Sequence, residues 1–269
     1  SFSLVFSGSP SPLLEISGLE GSVPVGGGPA NSTLTVKSLR SIGGAIAGEL
    51  KLPVNWQAPL LTLPPLDITA SGLKTRIGGQ LAMVQGLPIA LECNAPAQSV
   101  KPVSLPGGGT FRSQDISSVL RFGGMLVTPS TWQAEFITAA SKPAIVADGH
   151  ETRFDHAQAV TVLRGGTLSC VDARITGDDV SMLGNATVLS NGKAAGVLRI
   201  VAPQETSLSI IRRLFPGATA PPAFSSMSTP QRAALDIEVS GTLGDLNIRL
   251  GKNGPFVGRP TPPDSAKSQ

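Results

Sequence analysis

The chain of 269 residues contains no tyrosine, and aromatic side chains make up only 4% of it. A carbohydrate-stacking platform or a base-stacking nucleic-acid surface therefore lacks its raw material. Charge is also scarce: charged residues are 14% of the chain, against about 25% in an ordinary soluble domain. With 41% hydrophobic residues, that is the reverse of the disordered signature. The net charge of +3 is spread along the chain without a basic run, which argues against nucleic acid as a partner.

There are only two cysteines, Cys93 and Cys170, with no CxxC and no histidine at ligand spacing, so they do not read as a zinc site. A disulfide in an oxidising compartment and two separate buried thiols are both open, the second being the preferred reading. No stretch reaches the ~18 apolar residues of a membrane span. The opening SFSLVFSGSP lacks the charged start and long apolar core of a signal peptide. Its Phe2, Leu4 and Phe6 alternate with other residues as if inside a strand, so a fragment of a longer protein is expected.

What the chain does have is alternation and turns. In AALDIEVSGTLGDLNIRL, Leu235, Ile237 and Val239 alternate with Asp236, Glu238 and Ser240. After a turn, Leu246, Ile248 and Leu250 resume the pattern. A period of two gives one apolar and one wet face, so this segment predicts a strand pair. LEISGLE from Leu14 and LDITASGLKT from Leu66 echo it at irregular spacing, which predicts a meander rather than a fixed-period solenoid. Further strands are expected at Ser32–Leu39, Ala45–Leu52, Gln80–Met83, Ile89–Cys93, Gln133–Ile137, Ala159–Leu163, Ser169–Ile175, Val180–Leu189 and Ala195–Val201. The high counts of Gly (31) and Pro (23) fit many turns, and the Gly-Gly pairs at 43–44, 78–79, 123–124 and 165–166, with Asn191-Gly192, are read as such.

Helix is expected at Thr206–Phe215, where Leu208, Ile211, Leu214 and Phe215 lie near helical spacing before Pro216-Gly217. A similar spacing of Ile116, Val119, Leu120 and Phe122 predicts a second helix at Ser113–Phe122, and Thr229–Ala234 could add one turn. Gly217–Pro230 reads as a mobile loop and Gly251–Gln269 as a disordered tail.

Catalytic signatures are missing. The sequence has no GxSxG, P-loop, HExxH or GxGxxG after a strand. Gly26–Gly28 and Gly107–Gly109 lack the lysine and helix of a phosphate cradle. Asp148, His150, Glu151, Asp155 and His156 form the densest polar cluster. It could be a metal or acid–base site, but its composition is that of a solvated linker between β segments. Asp178-Asp179 reads as a surface turn rather than a calcium site. No catalytic residue, metal or cofactor is expected; a hydrolase using His150 or His156 is the outside alternative.

From Arg153 onward the order of segments is distinctive. Phe154-Asp155 is followed by Gly166-Thr167-Leu168, by Asp172-Ala173-Arg174-Ile175, by Gly184-Asn185-Ala186-Thr187-Val188 and by the turn Asn191-Gly192. This order resembles the C-terminal region of the AsmA-like family of bacterial envelope proteins. The VSGTLGDLNIRL segment is similar to that family's closing strand pair, with Leu246 where the family usually has Pro. The resemblance covers residues 153–250, and the first 145 only loosely.

The resemblance implies a periplasmic, inner-membrane-anchored protein of a diderm bacterium, with phospholipid or another acyl-chain ligand as partner and a role in phospholipid transport or outer-membrane assembly. The fold expected is mainly β: a long curved antiparallel sheet or half-open groove with one or two short helices. Its parts would be a β-rich repeat-like segment (1–145), an AsmA-like β domain (146–252) and a disordered tail (253–269). The apolar face lining the groove is assigned to Leu168, Ile175, Val180, Met182, Val188, Leu198, Ile200, Leu235, Ile237, Val239, Ile248 and Leu250. The same alternation would serve a closed β-sandwich acting as a structural or adhesive module through protein contacts, and this alternative stays open at the level of sequence.

Overall fold

A computed structural model describes residues 2–4, 14–22, 29–41, 44–70, 73–105, 109–147, 150–214, 232–243, 245–251 and 256–258. The first half contributes β1 (Phe2–Leu4), β2 (Leu14–Glu20), β3 (Ala30–Ser41), β4 (Gly44–Ala47), β5 (Leu50–Gln57), β6 (Leu60–Ala70), β7 (Leu73–Ala82), β8 (Pro88–Gln98), β9 (Val103–Leu105), β10 (Gly109–Arg112) and β11 (Asp115–Met125). Then come β12 (Thr128–Ser141), β13 (Ala144–Ala147), β14 (His150–Arg153), β15 (His156–Arg164), β16 (Thr167–Thr176), β17 (Ser181–Val188) and β18 (Lys193–Pro203). A single helix, α1 (Gln204–Leu214), precedes β19 (Arg232–Thr242), β20 (Asp245–Leu250) and β21 (Phe256–Gly258).

Seventeen of these strands form one antiparallel sheet that does not close into a barrel. It is a meander: from β5 onward each main strand pairs with the next along the chain, because short turns leave an antiparallel neighbour as the nearest partner. The exception is a four-stranded sheet, β14-β13-β10-β9. It is built from the outer ends of the four adjacent strands β8, β11, β12 and β15, which break at residues 99–102, 113–114, 142–143 and 154–155. The boundary expected at 145/146 falls inside β13, and β12 and β15 pair across it along nine residues.

The sheet is concave on its apolar side. Trp132 and Leu163 are buried in a cluster that also packs Phe122, Ala134, Leu168, Val188 and Leu243. Leu243 follows β19, four strands from β15, and four strands at ~4.8 Å spacing would keep these side chains about 19 Å apart in a flat sheet. Phe122 and Trp132 meet edge to face with ring centroids 5.7 Å apart, a favourable aromatic geometry, and Trp132 Nε1 donates to the Met125 carbonyl at 2.8 Å.

Several sequence expectations need correction. Ser113–Phe122 is not a helix but enters β11, and Arg232–Ala234 begin β19 rather than a helical turn. Both segments are held by long strand partners, which override a chance helical spacing. Residues 150–153 and 156–158, read as part of a linker, lie in strands, the second of them continuing into the strand expected at 159–163. The tail expected from 251 supplies β21, paired with Arg232–Ala234. The loop expected at 217–230 lies outside the described residues.

Glycine pairs also divide. Gly165, Gly166 and Gly192 have positive φ in turns, whereas Gly78-Gly79 and Gly123-Gly124 lie inside β7 and β11. Gly124 sits at a register shift with φ +146°, and a Cβ there would come within 2.9 Å of the Thr131 carbonyl oxygen and Trp132 Cα. Gly124→Ala should therefore lower the unfolding free energy by about 1–3 kcal/mol, read as a shift of the urea midpoint.

Candidate functional site

Strand register sorts the side chains onto two faces of opposite character. One row runs directly across eleven strands from β6 to β20: Leu63, Gly79, Leu91, Phe122, Ala134, Leu163, Leu168, Val188, Ala194, Gly241 and Leu246. The next row on the same face is Leu66, Ile77, Cys93, Leu120, Phe136, Thr161, Cys170, Ala186, Gly196, Val239 and Ile248. Neither row contains a charge. A third row, Ala95, Ser118, Thr138, Ala159, Ala173, Gly184, Leu198, Ile237 and Leu250, and a fourth, Ile116, Ala140, Ala157, Ile175, Met182, Ile200 and Leu235, contain none either.

Side-chain size turns these rows into a trough. One middle row is small across β15–β17, with Ala159, Ala173 and Gly184 before Leu198 on β18, and the other is small across β15–β18, with Thr161, Cys170, Ala186 and Gly196. The outer rows carry Leu163, Leu168 and Val188 on β15–β17 on one side and Ile175, Met182 and Ile200 on β16–β18 on the other, with Ala194 and Ala157 at their ends. Rows on one face repeat every ~6.8 Å along a strand, so the two walls stand about 20 Å apart. The floor runs across the strands, along the long axis of the sheet. Phe136, on the floor row in β12, keeps 40% of its surface exposed; no second layer covers it among the described residues.

One wall of the trough is covered. Helix α1 is amphipathic because Ser207, Ile210 and Ile211 fall on one side at helical spacing. Ile211 and Leu235 are each only 1% exposed, in a cluster with Phe154, Val180, Ile200, Ala202 and Ile237. Ile145 of the small sheet packs against the same cluster. All twelve apolar-face residues assigned from the sequence share this face, Val180 by its alternation with Met182. Four of them, Val180, Ile200, Leu235 and Ile237, are buried in this capping cluster and offer little surface to a ligand. The rows from β6 to β12, with Leu91 and Phe136, were not assigned to the apolar face from the sequence, although Ile89–Cys93 and Gln133–Ile137 were expected as strands and are strands. Only β11, read as a helix, and Gly78-Gly79, read as a turn, were misassigned there.

The opposite face is held by ion pairs between directly opposed residues. Arg76 pairs with Asp67 at 2.9 Å, Arg199 with Asp236 at 2.7 Å and Arg249 with Glu238 at 2.8 Å. Arg121 bridges two strands, 3.7 Å from Glu92 and 3.5 Å from Glu135. These pairs are exposed on at least one side, so each contributes at most about 1 kcal/mol. Their larger effect is on register, since a one-residue slip would carry a charge onto the apolar face.

The Arg199 guanidinium, donating to both Asp236 oxygens at 2.7 and 2.8 Å, holds that carboxyl below its ordinary value of 3.8. The pair's contribution is therefore present above about pH 4 and is lost as pH falls through the depressed folded-state value. Asp236→Asn should flatten the acid limb of a urea-midpoint series between pH 7 and 3, by less than about 1 kcal/mol because Arg199 is solvent-screened.

Among the described residues no group of three His, Cys, Asp or Glu could hold a metal. Asp155 pairs with Lys142 at 2.9 Å and Glu151 with Arg153 at 3.4 Å, while Asp148 lies outside the described residues. These four line a cleft of about 800 Å³ with Arg112, Asp178 and Asp179. Its charges of both signs are largely neutralised in place. Cys93 and Cys170 are free, half-buried and on the floor row; burial, and then Glu92, push the Cys93 thiol up, so it stays protonated and a poor nucleophile.

No family model, curated protein or solved structure matches the chain. No helix among the described residues is long and apolar enough to cross a membrane.

Proposed function

We propose that this chain is a non-enzymatic lipid-handling module that lays acyl chains along the apolar face of its sheet. The observation that carries this reading is the set of four uncharged rows, two of them eleven strands wide, with small residues in the middle across β15–β17, larger ones on either side, and no second layer over Phe136 among the described residues. Hydrocarbon on that floor gains about 0.8 kcal/mol per buried CH₂. The resemblance of residues 153–250 to AsmA-like envelope proteins supports the same reading. It extends the proposal to a periplasmic site of action and to phospholipid transport or outer-membrane assembly.

The test is native mass spectrometry of the purified protein, with organic extraction of whatever it carries. Phospholipid at one or more molecules per chain is the expected result. A protein that emerges clean and also fails to take up a fluorescent fatty acid overturns the proposal. Protein contact through the same face would then account for it.

A further inference from the structure

Among the described residues the sheet has an open edge at β20. Natural edge strands are blunted by charged side chains, above all Lys, by Pro, by a bulge or by an inward-pointing charge; Asp245–Leu250 has no Lys, no Pro and no inward-pointing charge, and its two charges, Asp245 and Arg249, stand on the polar face. Leu246 and Ile248 are 47% and 55% exposed, and among the described residues nothing pairs with the outer side of β20.

We propose that this edge is the contact of a symmetric dimer, in which β20 of a second copy pairs antiparallel with β20 about a two-fold axis through Asn247. Residues directly opposed in an antiparallel pair share a face. A two-fold axis normal to the sheet keeps the apolar faces of both copies on one side, so the axis must pass through a residue pair. Centring it on Asn247 places Asp245 opposite the partner's Arg249, and Arg249 opposite the partner's Asp245, on the polar face. Leu246 then meets the partner's Ile248 on the apolar face. Centring it on Leu246 or Ile248 leaves Arg249 with no acid opposite it across the dimer axis, so charge selects one register.

The interior of the sheet already contains this motif. Arg121 lies between Glu92 and Glu135 on the two flanking strands. Arg249 has Glu238 on one side, at 2.8 Å, and open edge on the other. Asp245 makes no ion pair among the described residues. The partner's Asp245 completes the acid–Arg–acid triad, and the dimer continues the uncharged rows without interruption into a second sheet.

The test needs no ligand. Sedimentation of the unmodified chain across the micromolar range should give twice the 27.5 kDa of one chain; a monomer throughout overturns the proposal. Single cysteines then read the register, with the unmodified chain as control for Cys93 and Cys170. Asn247→Cys should form a covalent dimer on mild oxidation. Asp245→Cys and Arg249→Cys alone should give about ten-fold less, because each would lie about 14 Å from its own copy. Mixing those two variants should restore the cross-link. Equal cross-linking at all three positions means non-specific association through the apolar face and overturns the proposal. Failure of dimerisation leaves lipid binding untouched, so the two claims fall separately.

Discussion

Phe136→Asp is expected to remove bound lipid while leaving the protein folded. Phe136 stands on the floor row between Leu120 and Thr161, and at 40% exposure it is not part of a packed core. Its loss therefore costs little stability. A carboxylate there faces hydrocarbon with no cation in the row to pair with, and desolvating an unpaired charge costs several kcal/mol. Since 1.4 kcal/mol is a factor of ten, extracted phospholipid per chain should fall by more than about ten-fold. The matched control is Leu183→Asp. Leu183 is exposed to a similar extent, at 45%, but lies between Arg174 and Arg199 on the polar face. That variant should extract as much lipid as the parent. Equal losses in the two variants would mean that the sidedness of the sheet does not govern binding.

The second large effect is on stability. Leu235→Ala should cost roughly 2–5 kcal/mol of unfolding free energy, because the cavity would open in the one place where sheet, helix and small sheet meet. Leu235 lies directly opposite Ile200 on β18, in one cluster with Ile211 of α1. Leu183 stands on the opposite face at 45% exposure, so a truncation there removes less buried surface. Leu183→Ala should stay within about 0.5 kcal/mol. Urea denaturation of both variants checks the contrast. A small effect at Leu235 would mean that α1 does not seal that side of the sheet.

The fold class was legible because one buried face imposes a period of two wherever the opposite face is charged. The run from Leu235 to Leu250 is the clearest case, with Asp236, Glu238 and Arg249 on the wet side. β11 was lost because its polar face is not polar: Val119 sits beside Ile137, which sits beside Val160. Small Ser117 and Ser118 left the remaining apolar residues at an apparently helical spacing. His150–Arg153 was lost for the opposite reason, since every one of its side chains is exposed and no alternation marks it. The trough itself is a property of register. Arg199 and Asp236 are 37 residues apart in sequence, and nothing local announces that they meet. The small floor residues Ala159, Ala173 and Gly184 line up only once three strands are paired. The capping of Leu235 by α1 also depends on tertiary placement, although the helix itself was anticipated from its spacing.

A photo-reactive benzophenone side chain placed singly at Leu91, Phe136, Leu183 or Val197, and irradiated in the presence of labelled phospholipid, tests the central claim most directly. Leu91 and Phe136 sample the apolar face in the two halves of the sheet, and Leu183 and Val197 sample the polar one. The account predicts lipid adducts at Leu91 and Phe136 and background labelling at Leu183 and Val197. Adducts of equal yield on both faces, or none on the apolar one, would contradict it.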